Sequence, residues 1–231
     1  MRNLRTSRTT TAVLAALTSA ATAACGGSAR RGPETAPQPT ATAELEAIYR
    51  TRTDSALMRF TEADVHFMTG MISHHGQALV MAGLAPSHGA SPQLLTLTSR
   101  IINAQTDEIA TMQGWLRDRG KPVPEVEVDG TTLLIDGSPD NVMQMAGMLS
   151  PEQMRDLDQA RGTEFDRLFL SYMIQHHSGA ITMVDELFST DGAAQGMLAF
   201  KLASDIQVDQ ATEIERMKLM LEALPDTGRY R

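Results

Sequence analysis

The chain has 231 residues, 42% of them hydrophobic and 4% aromatic, with 15 Met, one Cys and a formal net charge of -8. That length holds one large domain or two small ones, and the scarcity of aromatics favours packed helices over a β-sandwich. A single Cys excludes an intrachain disulfide and any Cys-rich zinc or redox centre, and the acidic balance argues against nucleic acid, which binds basic surfaces.

Residues 1–24 read as an export signal. Arg2, Arg5 and Arg8 form a positive start with no acid, and the apolar run from Thr11 to Ala24 is too short to span a bilayer. Thr22-Ala23-Ala24-Cys25 resembles a bacterial lipobox, whose Cys is acylated and becomes the new N-terminus, with Thr22 where Leu is usual. The plain alternative is secretory cleavage near Ala24. Removing residues 1–24 takes away three Arg and no acid, so the charge of -8 becomes -11. Residues 25–42 are rich in Gly, Ser, Ala, Pro and Thr, which predicts a lipid-anchored flexible tether on the outer face of the cell membrane. Its random-coil reach is about 20–25 Å.

Residues 43–231 are predicted to form the folded domain. A helix over about 43–58 has Leu45, Ile48 and Tyr49 on one side. Thr61 and Asp64 make a capping-box-like start for a helix to about Gly83. Pro86 and Gly89 mark a loop, Ser91-Pro92 opens a helix to Arg119, and Gly120 caps it before Pro122 and Pro124. Residues 121–138 hold a Val/Leu/Ile run with Gly130 and Gly137, which fits a small hairpin or, better, an irregular crossover. Ser138-Pro139 and Ser150-Pro151 open two short helices. Two long helices then cover about 163–188 and 193–224, ending at Pro225.

The long helices repeat. Asp64, Phe67, Met71, Ile72, His74 and His75 recur 102 residues later as Asp166, Phe169, Met173, Ile174, His176 and His177. Ala78 and Met81 recur at the same offset as Ala180 and Met183. After a longer loop, Ile101, Gln105, Glu108, Ile109 and Met112 recur as Ile206, Gln210, Glu213, Ile214 and Met217. This is a duplicated helical hairpin, repeat 1 about 61–119 and repeat 2 about 163–224. One hairpin cannot bury its own apolar face, so two are expected to close into an all-α four-helix bundle with a long central crossover.

At about 100° per residue, Asp64, Phe67, Met68, Met71, His75 and Ala78 share one stripe, with His74 at its edge and His66 on the opposite face. Met71 and His75 are neighbours one turn apart, as are Met173 and His177. On the partner helices Gln105, Glu108, Gln210 and Glu213 are polar on otherwise apolar stripes. A buried carboxylate needs a partner, and the repeated His is the obvious one, with Asp64 and Asp166 as further candidates. The plain alternative is a metal-free polar network with Met as filler. The metal reading takes thioether and imidazole donors without thiolate, a set that suits Cu(I) or silver. Met143, Met145 and Met148, with Met154, add thioethers in the connector; they fit equally an apolar face packed on the bundle.

The two Met-Ile-x-His-His-x-x-Ala-x-x-Met segments, Met145-Ala146-Gly147-Met148, and Phe165-Asp166 with Phe169-Leu170 resemble the domain-of-unknown-function 305 family over about Asp64 to Leu221. The resemblance implies a ferritin-like helical bundle in an exported bacterial protein. Some members bind copper or silver through Met and His, which the resemblance extends to Met71, His74, His75, Met173, His176 and His177.

Three functions follow. The first is a non-catalytic binder of copper (Cu(I) preferred) or silver outside the cytoplasm, for metal tolerance or delivery. Its candidate donors are Met71, His74, His75, Met81, Met173, His176, His177 and Met183, supported by Asp64, Glu108, Asp166 and Glu213. Binding through ordinary imidazoles should weaken as pH falls through about 6.5. The second is a di-iron oxidase, which needs Glu-x-x-His on two helices; no Glu here has His three residues later. The third is a metal-free interaction lipoprotein. No nucleophile elbow, zincin motif or phosphate loop is present, and the sequence identifies no protein partner.

Overall fold

A computed structural model describes residues 40–57 and 59–225. The export signal, Cys25 and the tether as far as residue 39 lie outside the described residues. The helices are α1 (Ala41–Leu57), α2 (Glu62–Leu84), α3 (Pro92–Asp118), α4 (Pro151–Gln159), α5 (Thr163–Ser189) and α6 (Met197–Glu222). Between α3 and α4 lies a hairpin of β1 (Val126–Asp129) and β2 (Thr132–Ile135).

Local chemistry sets the helix starts. The Thr61 hydroxyl accepts from the Asp64 N–H at 3.2 Å, while the Asp64 carboxylate accepts from the Thr61 N–H at 2.7 Å, completing the capping box of α2. Ser91 caps α3 with Pro92 at its first position, and Ser150 with Gln153 caps α4 in the same manner as Thr61. Gly120, with φ +63, turns the chain away after α3.

α2 and α3 form one helical hairpin, α5 and α6 the other, and the two meet chiefly through α2 against α5. Two apolar layers fill the bundle. One holds Met71 of α2, Met112 of α3, Met183 of α5 and Ile206 of α6. The other holds Met81, Ile101, Met173 and Met217 from the same four helices. Met71 sits with Met183, and Met81 with Met173, so α2 and α5 run antiparallel.

Four details differ from expectation. α1 stays outside the core, with Leu45 67% and Tyr49 73% exposed, because its apolar side is too narrow to bury. The hairpin does form: Val126 pairs with Ile135 and Asp129 with Thr132 around a two-residue Gly130-Thr131 turn, in which Gly130 takes a φ of +59 at the first turn position, where tight hairpin turns favour glycine. Its Leu133 and Ile135 pack on Val80 of α2, and Gly76 admits them, since a Cβ there would lie 2.7 Å from Leu133 Cδ1. The Ser138-Pro139 helix is a single 3-10 turn, Pro139–Asn141, whose Asn141 amide folds back to donate to the Ile135 carbonyl at 3.0 Å. Finally, α6 starts at Met197 and not near Ala193, because Ala194 adopts a φ of +53 that no helix accommodates.

Candidate metal centre

α2 and α5 cross at their His-His pairs, midway between the two apolar layers. His74 and His176 stack there, ring centroids 3.8 Å apart and planes inclined by 37°. His75 turns from α2 toward α3, where its Nε2 lies 2.6 Å from Glu108 Oε2. His177 turns from α5 toward α6 and meets Glu213 Oε2 at the same 2.6 Å. The centroid distance within each adjacent pair is 6.2 Å. The four rings therefore form a wholly buried row, His75, His74, His176, His177, with a carboxylate at each end. The carboxylates reach the rim: the Glu108 side chain is 14% exposed and that of Glu213 21%.

The hydrogen bonds select ring tautomers. An ionised carboxylate only accepts, so Nε2–H of His75 and of His177 donates to Glu108 and Glu213. Nε2–H of His74 donates to the Ala146 carbonyl at 3.1 Å. In each neutral ring this leaves the lone pair on Nδ1. Nδ1 of His74, His75 and His177 has no protein partner, and neither nitrogen of His176 has one. Gln105 and Gln210, at equivalent positions on α3 and α6, also carry buried amide atoms without partners. So many unpaired polar atoms in one interior is unusual, because each costs free energy unless something meets it.

Burial lowers the His74 pKa to about 3, helped by repulsion from His75 and His177. The same cause pushes His176 well below the usual imidazole range, with His74, His177 and His75 adding to it. These two rings are therefore neutral far below pH 6.5, where an ordinary imidazole would already have been protonated. At the rim, burial raises the Asp209 pKa on α6, followed by repulsion from Glu108, Glu213 and Asp205.

The connector between the hairpins closes one side of the row. Ser73, His74 and Gln77 of α2 grip it: the Ser73 hydroxyl accepts from Met143 N–H, and Gln77 exchanges two hydrogen bonds with Leu149. Gly147, with φ +78, then sits directly against Gly179 of α5; a Cβ on Gly147 would lie 2.6 Å from Gly179 Cα. Met145 and Met148 interact with one another, the Met145 N–H pointing to the Met148 sulfur at 3.3 Å.

The structure thus brings together His74, His75, His176, His177, Glu108 and Glu213, and separates other candidates. Met71 with Met183 and Met81 with Met173 are buried on opposite sides of the His row. Asp64 and Asp166 do not reach it. Asp64 Oδ1 accepts from the Ala194 N–H at 2.7 Å, and the Asp166 carboxylate accepts from the Ser91 N–H at 3.2 and 3.3 Å. Each Asp at a hairpin's start thereby clasps the loop of the opposite hairpin. His74 is not peripheral, as the stripe suggests: α2 is buried nearly all round, so its edge residue meets α5. His66 is exposed as expected. Among the described residues, no three His, Cys, Asp or Glu side chains converge closely enough to hold a metal on their own. While His74 and His176 stack, one ion cannot lie in both ring planes at bonding distance, so joint ligation requires the stack to open.

The family profile for Domain of unknown function (DUF305) matches residues 64–221. The chain belongs to this family. A DUF305 fragment from Deinococcus radiodurans is similar in structure, with TM-score 0.58 and 27% identity, covering 71% of this chain and 99% of that one. CopM in its Cu(II)-bound form gives 0.52 and 29%, covering 69% of this chain and 95% of that one. CopM has also been solved with Cu(I) and with silver, each at 28% identity and TM-score 0.51. A DUF305 protein of Streptomyces coelicolor, at 24% identity and TM-score 0.57, covers 69% of this chain and 92% of its own and shares the fold. Curated proteins give no significant match.

Proposed function

We propose that this DUF305 chain is an exported, lipid-anchored, non-catalytic binder of monovalent copper or silver, acting outside the cytoplasm in metal tolerance or delivery. The observation that carries this reading is the buried row of four imidazoles. Three hold Nε2–H in hydrogen bonds and keep Nδ1 lone pairs without a protein partner. A carboxylate fixing one ring nitrogen so that the other can meet a metal is the usual outer support of a His ligand. Thioethers on either side and the absence of thiolate favour a soft monovalent ion over zinc. The likeness to CopM, solved with Cu(I) and silver, supports the same choice.

The 2.6 Å His–Glu bonds also favour a second reading, in which the row only specifies how the hairpins dock. Titration of the refolded apo protein with Cu(I) against a chromophoric competitor, and with Zn(II) separately, decides between them. The metal reading expects Cu(I) to bind more tightly than Zn(II), and the His75→Ala/His177→Ala variant to lose affinity. A wild-type protein that releases all its Cu(I) to a weak competitor sinks it and leaves the structural network.

A further inference from the structure

A second set of soft donors lies at the surface, away from the His row. A cleft of about 140 Å³ between the start of α2 and the end of α5 is lined by His66, Phe67, Met145, Met183 and Glu186, among others. His66 and Glu186 are exposed, Met145 is half-buried, and Met183 forms the floor.

Gly70, one turn beyond His66 on α2, makes room for one of these donors, Met145. A Cβ at Gly70 would lie 2.7 Å from Met145 Cε and 2.9 Å from its Sδ, so the missing side chain admits the connector's thioether against the helix. The second hairpin differs at the equivalent positions. There, Leu168 replaces His66 and Tyr172 replaces Gly70, both packed on the second apolar layer, while Met81 replaces Met183 and is wholly buried. The duplicated core thus does without an imidazole or a glycine at these places. Among the described residues, the start of α2, with His66, meets two thioethers in this open cleft, Met145 of the connector and Met183 of the second hairpin.

We propose that this cleft is a solvent-reachable site for a soft monovalent ion, with Met145, Met183 and His66 as donors. It rests on the reading of the chain as a copper or silver binder, and adds where an ion can bind without opening the buried row. Two thioethers and an imidazole suit Cu(I) or Ag(I) and make a poor zinc site. The Glu186 carboxylate at the rim raises the local concentration of cations.

The test uses the full chain in its apo form, with Ag(I) alone as the probe. Bound equivalents are counted by native mass spectrometry, and Met methyl groups are followed by NMR. Met145→Leu conserves volume and His66→Ala changes an exposed side chain, so the double variant should fold, which circular dichroism checks. Wild type should bind one more Ag(I) than this variant, or bind that ion about tenfold more tightly at least, since losing a direct ligand should cost no less than losing an outer-shell partner. The Met145 and Met183 methyl signals should move as it binds. A folded variant with wild-type stoichiometry and affinity overturns the cleft site. So does a protein whose Ag(I) uptake is lost only in His75→Ala/His177→Ala. A wild type that takes up no Ag(I) overturns both this site and the metal-binding function.

Discussion

His74 and His176 come from different hairpins, yet their rings stack at 3.8 Å in the middle of the bundle. Neither ring has a carboxylate partner, and burial holds His74 neutral down to about pH 3. The contact therefore joins the two halves only while both rings are uncharged.

Stability should accordingly depend on pH. In the unfolded chain a His titrates near 6.5, whereas folded His74 titrates at about 3. Between those values the unfolded state binds a proton that the folded state refuses. The stability is fully present above pH 6.5 and declines as pH falls toward 3, by about 1.4 kcal/mol per pH unit for His74 alone. His176, shifted the same way, steepens the decline. Urea unfolding of the apo protein at pH 7, 6 and 5 measures it, and His74→Gln should flatten the slope. Equal stability at pH 7 and 5 would contradict the neutral stack.

The two clasping aspartates should differ in weight. Asp64 accepts from the Thr61 N–H and hydroxyl at 2.7 and 2.8 Å and from Ala194 at 2.7 Å, whereas Asp166 accepts from one N–H through longer bonds. Asp64→Ala should cost about 1–3 kcal/mol, at the upper end because it leaves a buried N–H unpaired. Asp166→Ala should cost less. Chemical denaturation of both variants ranks them, and the reverse order would contradict the hydrogen-bond pattern.

These clasps also show what was legible in the sequence. The offset of 102 and the apolar period locate the hairpins, and the capping signals at Thr61, Ser91 and Ser150 locate helix starts, because they depend on residues within one turn. The His–Glu pairs were also legible, since each polar group stood out on an apolar stripe. The long-range partners were not. Asp64 reads as a capping residue, and nothing within one turn of it points to Ala194, 130 residues away. His74 reads as an edge residue until a second helix covers that edge. Gly130 pointed to the hairpin's turn, but its strands are only four residues each, too short for alternation to outweigh an irregular path.

Gly179 carries a similar long-range constraint. A Cβ there would fall 2.0 Å from the Ala146 carbonyl oxygen, the group that accepts from His74. Gly179→Ala should push the connector off α5, break that hydrogen bond and destabilise the fold by about 1–3 kcal/mol. Gly114, which has open space around it, is the control. Thermal unfolding of both variants reads the difference, and equal melting temperatures would argue against close packing of the connector.

Export rests on residues outside the described structure. Cys25→Ser should leave the protein translocated but no longer anchored, so that it appears in the medium. Fractionation of cells expressing each form checks this. Retention of the variant in the membrane with unchanged processing would contradict the lipid anchor.

The carboxylates at the ends of the His row give the sharpest test of the proposed metal site. If Glu108 and Glu213 act by fixing Nε2–H on His75 and His177, their charge matters although they touch no ion. Glu108→Gln/Glu213→Gln keeps size and an acceptor oxygen but weakens the hydrogen bond and removes two charges. Each ring then spends less time with its lone pair on Nδ1, and Cu(I) affinity should fall by about 10- to 100-fold. Asp209 gives an internal check, because repulsion from Glu108 and Glu213 contributes to its raised pKa. In the variant that pKa should fall, yet stay raised, since burial is the larger cause. A carboxylate titration by NMR confirms that the charges have gone, and the copper competition is then read on the same sample. If Asp209 responds and Cu(I) affinity does not change, the His–Glu pairs serve only to dock the helices, and the ion is held elsewhere.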